Sequence, residues 1–319
     1  MPARAGFKPR DAPECMHSPP GSLFEYVIET IDEVLGKLAE KRYIGDRPLA
    51  TAIYLALKLN KPLFIEGEAG VGKTEAAKVM ADVLGARLIR LQCYEGIDLA
   101  HAAYEWNYPR QLLHIRLLGD TTDRREAERE IFSREFLLRR PLLDAIDNDD
   151  AVPPVLLIDE IDRSDEEFEA FLLELLSDFQ ISIPELGTIS ARRPPFVVIT
   201  SNRTREVHDA LKRRCLYHWI DYPTLDKEIA IVRARVPEAS DDLAKQVATL
   251  VGGLRELDLY KLPGVAETLD WARSLAALGA RQVDTQMVEA TLGAALKYQE
   301  DLERAREAVP GLVERAKGA

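Results

Sequence analysis

The sequence is poor in cysteine, has no long apolar run and carries no excess of positive charge. Its three cysteines, Cys15, Cys93 and Cys215, are scattered, which argues against a disulfide framework or a zinc site and suits the reducing cytoplasm. The richest apolar stretch, LATAIYLALKL, includes Lys58 and is well short of the ~20 apolar residues that a membrane-spanning helix needs. Lys and Arg total 42 against 54 Asp and Glu, and the formal charge of −12 argues against a static grip on DNA or anionic lipid.

The chain has 319 residues, 46% of them hydrophobic, which is enough for about two domains. Residues 1–21 have no apolar targeting core, and we predict a disordered tail there. Apolar strands and helices alternate up to about residue 222, and only helical periodicity follows. We therefore predict an α/β core over residues 22–222 and a small helical domain over residues 223–319.

The core opens with a pattern that is typical of a parallel sheet. KPLFIE predicts a buried strand that leads into a glycine loop, TEAAKVMADVLG predicts a helix that ends at Gly85, and RLIRLQ predicts the next strand. VLLIDEID and PFVVITSN predict further strands, with a β-hairpin between them in QISIPELGTIS. Helical patterns also cover Thr121–Ile146, where charges are dense, and Thr285–Val309 near the C-terminus.

The glycine loop reads GEAGVGKT and matches the phosphate-binding pattern G-x-x-x-x-G-K-[ST] in full. Its glycines let successive backbone N–H groups turn inward towards a phosphate, and the helix that follows presents its N-terminus to the same anion. Lys73 would bridge the β- and γ-phosphates, and the Thr74 hydroxyl would bind Mg²⁺. The residues expected to hold the nucleotide are Gly67, Glu68, Ala69, Gly70, Val71, Gly72, Lys73 and Thr74.

Two strand ends supply the polar groups that hydrolysis would need. In VLLIDEID the apolar strand ends at Asp159, whose carboxylate would reach the metal, and Glu160 follows as a general base for the attacking water. VVITSNRT places Asn202 at the end of another apolar strand, where it is either a turn residue or an amide that orients that water or contacts the γ-phosphate. The adjacent carboxylates favour hydrolysis over transfer to a small-molecule acceptor.

DALKRRCLY places Arg213 and Arg214 at the end of a short helix. They fit a solvated basic helix end, and they also fit arginine fingers that reach the γ-phosphate of a neighbouring subunit. A finger that acts in trans would make activity depend on oligomerisation.

Taken together, the loop, LLIDEID, TSN, the arginines of LKRRC and the helical C-terminal part resemble the AAA+ ATPase superfamily over roughly residues 22–300. Within it the chain is similar to the MoxR group, on the hairpin-like FQISIPELGTISARRPPF and the extra residues after the second strand. YEWNYPRQLL and TSNRTREVHDALKRRCLYHWIDYP resemble the accessory branch that accompanies molybdenum-containing carbon monoxide dehydrogenase. The resemblance implies a P-loop core with a five-stranded parallel sheet, an inserted β-hairpin and an all-helical lid.

The resemblance also implies roles for single residues. Asn202 would be the first sensor, and Arg214 the trans-acting finger with Arg213 assisting. Tyr43 and Ile44 of RYIGD are similar to the segment whose backbone lines the adenine pocket. ATP and Mg²⁺ are the implied ligands, and a ring of identical subunits, a hexamer, is the implied assembly.

One feature departs from the family pattern. A second-sensor arginine is common on the third lid helix, but this sequence has Glu267 and Thr268 near that place. Arg273 lies at least one turn further along and fits a substitute or a surface residue. We therefore assign no second sensor.

The leading hypothesis is an ATP-driven remodelling ATPase, chaperone-like, that acts on a client or a von Willebrand A-type partner protein during metalloenzyme maturation. The alternative is a nucleic-acid motor of the clamp-loader or branch-migration type, which the acidic charge disfavours. A stand-alone kinase or GTPase is a third class, but no N-K-x-D or T-K-x-D base-reading motif occurs.

Overall fold

The structure, a computed structural model, describes residues 28–118 and 124–318. The predicted tail over residues 1–21 lies outside these ranges. Within them, no helix combines the length and the apolar character that crossing a bilayer requires.

The central sheet has five parallel strands, as the resemblance implies, and their order is β2-β5-β8-β1-β9. Two antiparallel pairs, β3 with β4 and β6 with β7, lie outside it. The strands are β1 (Leu63–Gly67), β2 (Leu88–Gln92), β3 (Tyr104–Trp106), β4 (Leu137–Arg139), β5 (Val155–Asp159), β6 (Gln180–Ile183), β7 (Gly187–Ser190), β8 (Phe196–Ser201) and β9 (Leu216–Ile220). The pair β6–β7 is the predicted hairpin, and it directly precedes β8.

Helices cover the sheet and form the C-terminal part. They are α1 (Ile31–Glu40), α2 (Arg47–Leu59), α3 (Lys73–Leu84), α4 (Leu99–Ala102), α5 (Tyr108–Leu118), α6 (Arg124–Ile131), α7 (Pro141–Ile146), α8 (Glu166–Asp178), α9 (Asp209–Lys212), α10 (Leu225–Arg235), α11 (Asp241–Arg255), α12 (Val265–Ala277), α13 (Thr285–Ala295) and α14 (Gln299–Lys317). The predicted end of α3 is confirmed, since Gly85 adopts a left-handed conformation there.

The sheet is buried on both faces, which explains why its central strands read as continuous apolar runs. On one face, Ile65 and Val198 pack with α1, α2 and α3. On the other face, Leu156 and Ile199 pack with α7 and α8. Because all five strands are parallel, the ends of β1, β2, β5 and β8 lie along one edge, and this arrangement positions the polar residues that follow them.

Beyond β9, the described chain up to residue 318 is helical. Helices α10 to α14 bury a core of their own around Trp271, whose indole N–H donates to Thr291 Oγ1 at 2.8 Å. Arg255 of α11 donates to both carboxylate oxygens of Glu228 in α10, at 2.7 and 2.8 Å, and the Thr268 hydroxyl of α12 donates to the same carboxylate. These buried contacts join three helices of the bundle.

Two helical predictions are wrong in part. The Thr121–Ile146 pattern is interrupted because β4 pairs with β3, and this tertiary contact overrides the local helical preference. The Thr285–Val309 pattern is two helices, since Leu296 is extended (φ −115°, ψ 140°) and α14 begins only at Gln299.

The buried indole of Trp271 gives a stability prediction for the helical part. We expect Trp271→Ala to lower the free energy of unfolding by about 3–5 kcal/mol, because it opens a cavity in a close-packed core. Trp271→Phe keeps most of the volume and loses the hydrogen bond to Thr291, so it should cost about 1–2 kcal/mol. Urea denaturation followed by circular dichroism measures both, and equal losses for the two variants would contradict the packing argument.

Candidate nucleotide-binding site

The glycine loop connects β1 to α3 and has the backbone of a phosphate cradle. Gly70 (φ +76°) and Gly72 (φ +97°) adopt left-handed conformations that other residues rarely take. A Cβ on Gly67 would lie 2.1 Å from the carbonyl oxygen of Ile220 in β9, so that position has no room for a side chain. The first amide groups of α3 have no acceptor within the helix, and they are free to bind an anion.

Lys73, the first residue of α3, is folded back onto the loop. Its Nζ donates to the carbonyl oxygens of Gly67 at 2.8 Å and Glu68 at 2.5 Å, and the side chain is buried. Burial lowers the pKa of this ammonium, an effect that the nearby carboxylates of Asp162 and Glu68 oppose. Because its hydrogen-bond partners are uncharged carbonyl oxygens, the Lys73 ammonium can exchange them for the oxygens of a phosphate.

Asp159, at the end of β5, is surrounded by donors. Its Oδ1 accepts from the hydroxyls of Thr74 at 3.0 Å and Thr200 at 2.5 Å, and its Oδ2 accepts from Arg90 Nη2 at 2.6 Å. A hydroxyl and a carboxylate in contact are the hard oxygen groups that Mg²⁺ binds beside a nucleotide phosphate. The residues present therefore fit the implied metal, and Thr74 and Asp159 would hold it.

Glu160 and Asn202 meet beside Asp159. Asn202 Nδ2 donates to Glu160 Oε1 at 3.3 Å, while Gln92 Nε2 at 3.0 Å and Arg163 Nε at 2.9 Å contact Oε2. Glu160 has a left-handed backbone (φ 57°), which is unusual for a residue with a side chain and is common at functional sites. The backbone N–H of Asn202 donates to Asp162 Oδ1, so a buried carboxylate fixes the strand end that carries the amide.

A cavity of about 270 Å³ adjoins the loop on the side of the helical part, and Tyr43 and Ile44 line it. Two ion pairs between the core and α10 belong to its lining, Asp46 with Lys227 at 2.8 Å and Glu75 with Arg235 at 2.7 Å. Other lining residues are Gly70, Val71, Gly72, Ile231, Val265 and Leu269. The apolar residues and the position beside the loop suit a nucleotide base.

Comparison with known families agrees with this geometry. Residues 63–220 match the model of the ATPase family associated with various cellular activities (AAA), a span that begins with β1 and ends with β9. No protein of curated function shows significant similarity to the chain.

Solved structures with a similar fold include the Holliday junction branch migration motor RuvB of Thermotoga maritima. That protein is 18% identical with a TM-score of 0.43, and the match covers 86% of this chain and 72% of that one. A proline-to-glycine variant of it is 18% identical with a TM-score of 0.47, with 95% and 82% covered. An arginine-to-alanine variant is 20% identical with a TM-score of 0.45, with 94% and 81% covered.

The two arginines predicted as fingers lie near the end of the matched span, next to α9. Arg214 Nε donates to Ser177 Oγ at 2.6 Å and its Nη1 to the carbonyl of Ala210. Arg213 is exposed and lies 3.7 Å from Asp209. The structure therefore brings Lys73, Thr74, Asp159, Glu160 and Asn202 together, and it places both arginines with α8 and α9 instead.

The place of the second sensor is occupied by the start of α12. Glu267 Oε2 accepts from the N–H of Gly264 at 3.0 Å, and Thr268 is buried against Glu228. The N–H of Ala266 donates to the carbonyl oxygen of Gly70 at 3.1 Å, so α12 contacts the phosphate loop through its backbone. Arg273 pairs with Asp270 on the surface.

Several residues of the site were missed by sequence reasoning. Arg90 and Gln92 lie on β2, where Arg90 contacts Asp159 and Gln92 contacts Glu160. Polar and apolar residues alternate in RLIRLQ and the strand ends at Gln92, so the sequence contained a signal for both residues. Thr200 is a polar residue within the apolar run VVITSN, which is also a recognisable signal.

Lys73 gives a direct test of the cradle. We expect ATP to raise the Tm of the wild-type protein through preferential binding to the folded state, and Lys73→Ala to abolish that shift. Lys78→Ala is the matched control, because Lys78 lies on the same helix, is half exposed and pairs only weakly with Glu75 at 3.8 Å. Equal ATP-dependent shifts in the two variants, measured by differential scanning fluorimetry, would show that the cradle is not the nucleotide site.

Proposed function

We propose that this protein is an ATP-hydrolysing remodelling ATPase of the MoxR type that acts on a partner protein. The observation that supports ATP hydrolysis is the contact of Asn202 with Glu160. This contact lies beside Asp159, which accepts a hydrogen bond from Thr74 in the first turn of α3. A metal-binding carboxylate, a general base and an amide then lie in one site, as hydrolysis of a phosphoanhydride requires.

Each residue has a part in this proposal. The loop amides and Lys73 hold the phosphates, and Thr74 and Asp159 hold Mg²⁺, which when bound offsets phosphate charge. Glu160 takes a proton from the attacking water, and Asn202 orients the water. Oε2 of Glu160 accepts from Gln92 and Arg163, and Oε1 accepts from Asn202, so a second lone pair of Oε1 can still accept from a water.

The arginines support a shared site. Arg213 is exposed, and Arg214 hydrogen-bonds within its own chain to Ser177 and Ala210. Their position with α8 and α9, away from the Asp159 carboxylate, suits fingers that reach the nucleotide of the next subunit. A ring-shaped hexamer would place each nucleotide between two subunits.

Exposed apolar side chains on α5 support a polypeptide client. Tyr108, Leu112 and Ile115 follow one another at spacings of four and three residues on one side of the helix. Leu113 and Leu117, four residues apart, lie on the other side. Exposed apolar patches of this kind mark protein interaction sites, and the net charge of −12 disfavours a phosphate backbone as the partner.

The finer assignment rests on the sequence resemblance. The hairpin β6–β7 lies directly before β8, as in the MoxR group, and β3 and α5 include YEWNYPRQLL. We propose that the client is a metalloenzyme in maturation, of the molybdenum carbon monoxide dehydrogenase kind, and that a von Willebrand A-type protein assists.

Mixing two inactive variants tests the shared site. Glu160→Gln and Arg214→Ala should each lower ATP turnover at least about a hundredfold, since one removes the base and the other the finger. Mixed rings should recover about a quarter of the wild-type rate, because random assembly places an intact glutamate opposite an intact arginine at about one interface in four. A phosphate-release assay measures the recovery.

The control is a mixture of Glu160→Gln with Lys73→Ala. Both substitutions damage the same subunit's half of the site, so mixing them restores no turnover. An absence of recovery in the Glu160→Gln and Arg214→Ala mixture as well would contradict an arginine that acts in trans.

A binding experiment separates the polypeptide client from a nucleic acid. We expect ATP-loaded Glu160→Gln to bind a fluorescent unfolded polypeptide, and the double variant Leu113→Gln, Leu117→Gln to lose this binding, because these side chains are largely exposed and contribute little to the fold. Fluorescence anisotropy measures the affinity. Binding of duplex DNA that weakens steeply with salt, without polypeptide binding, would instead favour a nucleic-acid motor.

A further inference from the structure

Arg90 is a cation that contacts the carboxylate proposed to hold the metal. Its Nε and Nη2 donate to the same oxygen, Asp159 Oδ2, at 3.0 and 2.6 Å. The Asp159 side chain is only 2% exposed, whereas that of Arg90 is 48% exposed. A buried carboxylate needs a charged or hydrogen-bonding partner, and Arg90 supplies the charge from the solvent side.

The orientation of Asp159 does not depend on Arg90. The other oxygen, Oδ1, accepts from the hydroxyls of Thr200 and Thr74, and Thr200 is buried on the neighbouring strand β8. Two fixed hydroxyls are enough to hold the carboxylate plane. Arg90 therefore contributes positive charge more than position.

The other cations of the site have different partners. Lys73 donates to two loop carbonyls, and Arg163 pairs with Glu160 at 2.9 Å. The field of the carboxylates extends to the buried thiol of Cys93, whose pKa rises to about 12 through burial first and the charge of Asp159 next. Among the described residues, Arg90 is the side chain that forms an ion pair with Asp159.

We propose that Arg90 is a resident counter-ion of Asp159 that allows the cradle to hold a nucleotide without a divalent cation. The inference rests on the proposed nucleotide site and concerns how that site responds to the metal. With Arg90 in place, Asp159 is neutralised before any metal arrives, and the phosphates meet a less negative site. The same guanidinium repels a divalent cation and occupies one carboxylate oxygen, so it weakens the binding of that cation.

The exposure of Arg90 makes this arrangement reversible. Its Nη2 also donates to Gln92 Oε1 on the same strand, and half of its side chain faces solvent. The guanidinium can leave Oδ2 without opening the core, because the buried Thr200 and the partly buried Thr74 hold the other oxygen of Asp159. Nucleotide and metal are then coupled through the position of one side chain.

Titration of a fluorescent ADP analogue, in EDTA and in Mg²⁺, tests the proposal. For wild-type protein we expect Mg²⁺ to tighten binding by less than about tenfold. For Arg90→Ala we expect binding in EDTA to weaken about tenfold, and the gain from Mg²⁺ to rise about tenfold, because an unpaired carboxylate repels phosphate and attracts the metal. Titration of Mn²⁺ by electron paramagnetic resonance should show tighter Mn²⁺ binding to the ADP-bound variant.

Three variants make the result specific. Arg87→Ala is the matched control, because Arg87 directly precedes β2, is 45% exposed and pairs with Asp144 and Asp150 away from the loop, and it should behave as the wild type. Arg90→Lys keeps the charge and should stay close to the wild type. Thr200→Val removes an orienting hydroxyl and should weaken Mn²⁺ binding, the opposite sign to Arg90→Ala.

The outcomes separate this inference from the proposed function. If Arg90→Ala gains no more from Mg²⁺ than Arg87→Ala does, the counter-ion role of Arg90 is wrong while the nucleotide site stands. If the wild-type protein binds the analogue in neither condition, the nucleotide site and this inference are both wrong. If circular dichroism shows that Arg90→Ala is unfolded, Arg90→Gln replaces it, because this variant also removes the charge. A gain from Mg²⁺ in Arg90→Gln that equals the gain in the wild type overturns the proposal.

Discussion

The site depends on one buried carboxylate. Asp159 lies at the end of the strand between β2 and β8, and its two oxygens accept from Thr74 on α3, Thr200 on β8 and Arg90 on β2. Leaving such a group unpaired would be costly, so its hydrogen bonds fix the register of the sheet edge against the phosphate loop. The neighbours that satisfy the carboxylate include Thr74, the residue that is proposed to hold the metal together with Asp159.

Much of this arrangement follows from local sequence. GEAGVGKT requires left-handed glycines between a strand and a helix, and the structure has them at Gly70 and Gly72. The apolar runs before Asp159 and Asn202 predict buried parallel strands, and such strands bring their ends to one edge. These patterns are readable because each residue's backbone or burial is set by its immediate neighbours.

Contacts between distant segments could not be predicted in the same way. The pairing of β3 with β4 joins residues more than 30 positions apart, and it replaces part of a strongly charged helical pattern. The pairing of Arg90 with Asp159 depends on β2 lying next to β5, and the sequence does not specify that strand order. Tyr43 and Ile44 line the cavity together with residues of α10 and α12. The local sequence does not show that these distant segments meet.

The helical part contacts the phosphate loop through the start of α12. The second-sensor place offers Glu267 instead of an arginine, and Glu267 caps the start of α12. Contacts that join the two parts include the hydrogen bond from Ala266 N–H to Gly70 O and the ion pairs of Lys227 and Arg235 with the core. A change in loop conformation would alter the first of these directly, since Gly70 belongs to the phosphate cradle. Movement of the helices would then follow the backbone of the loop.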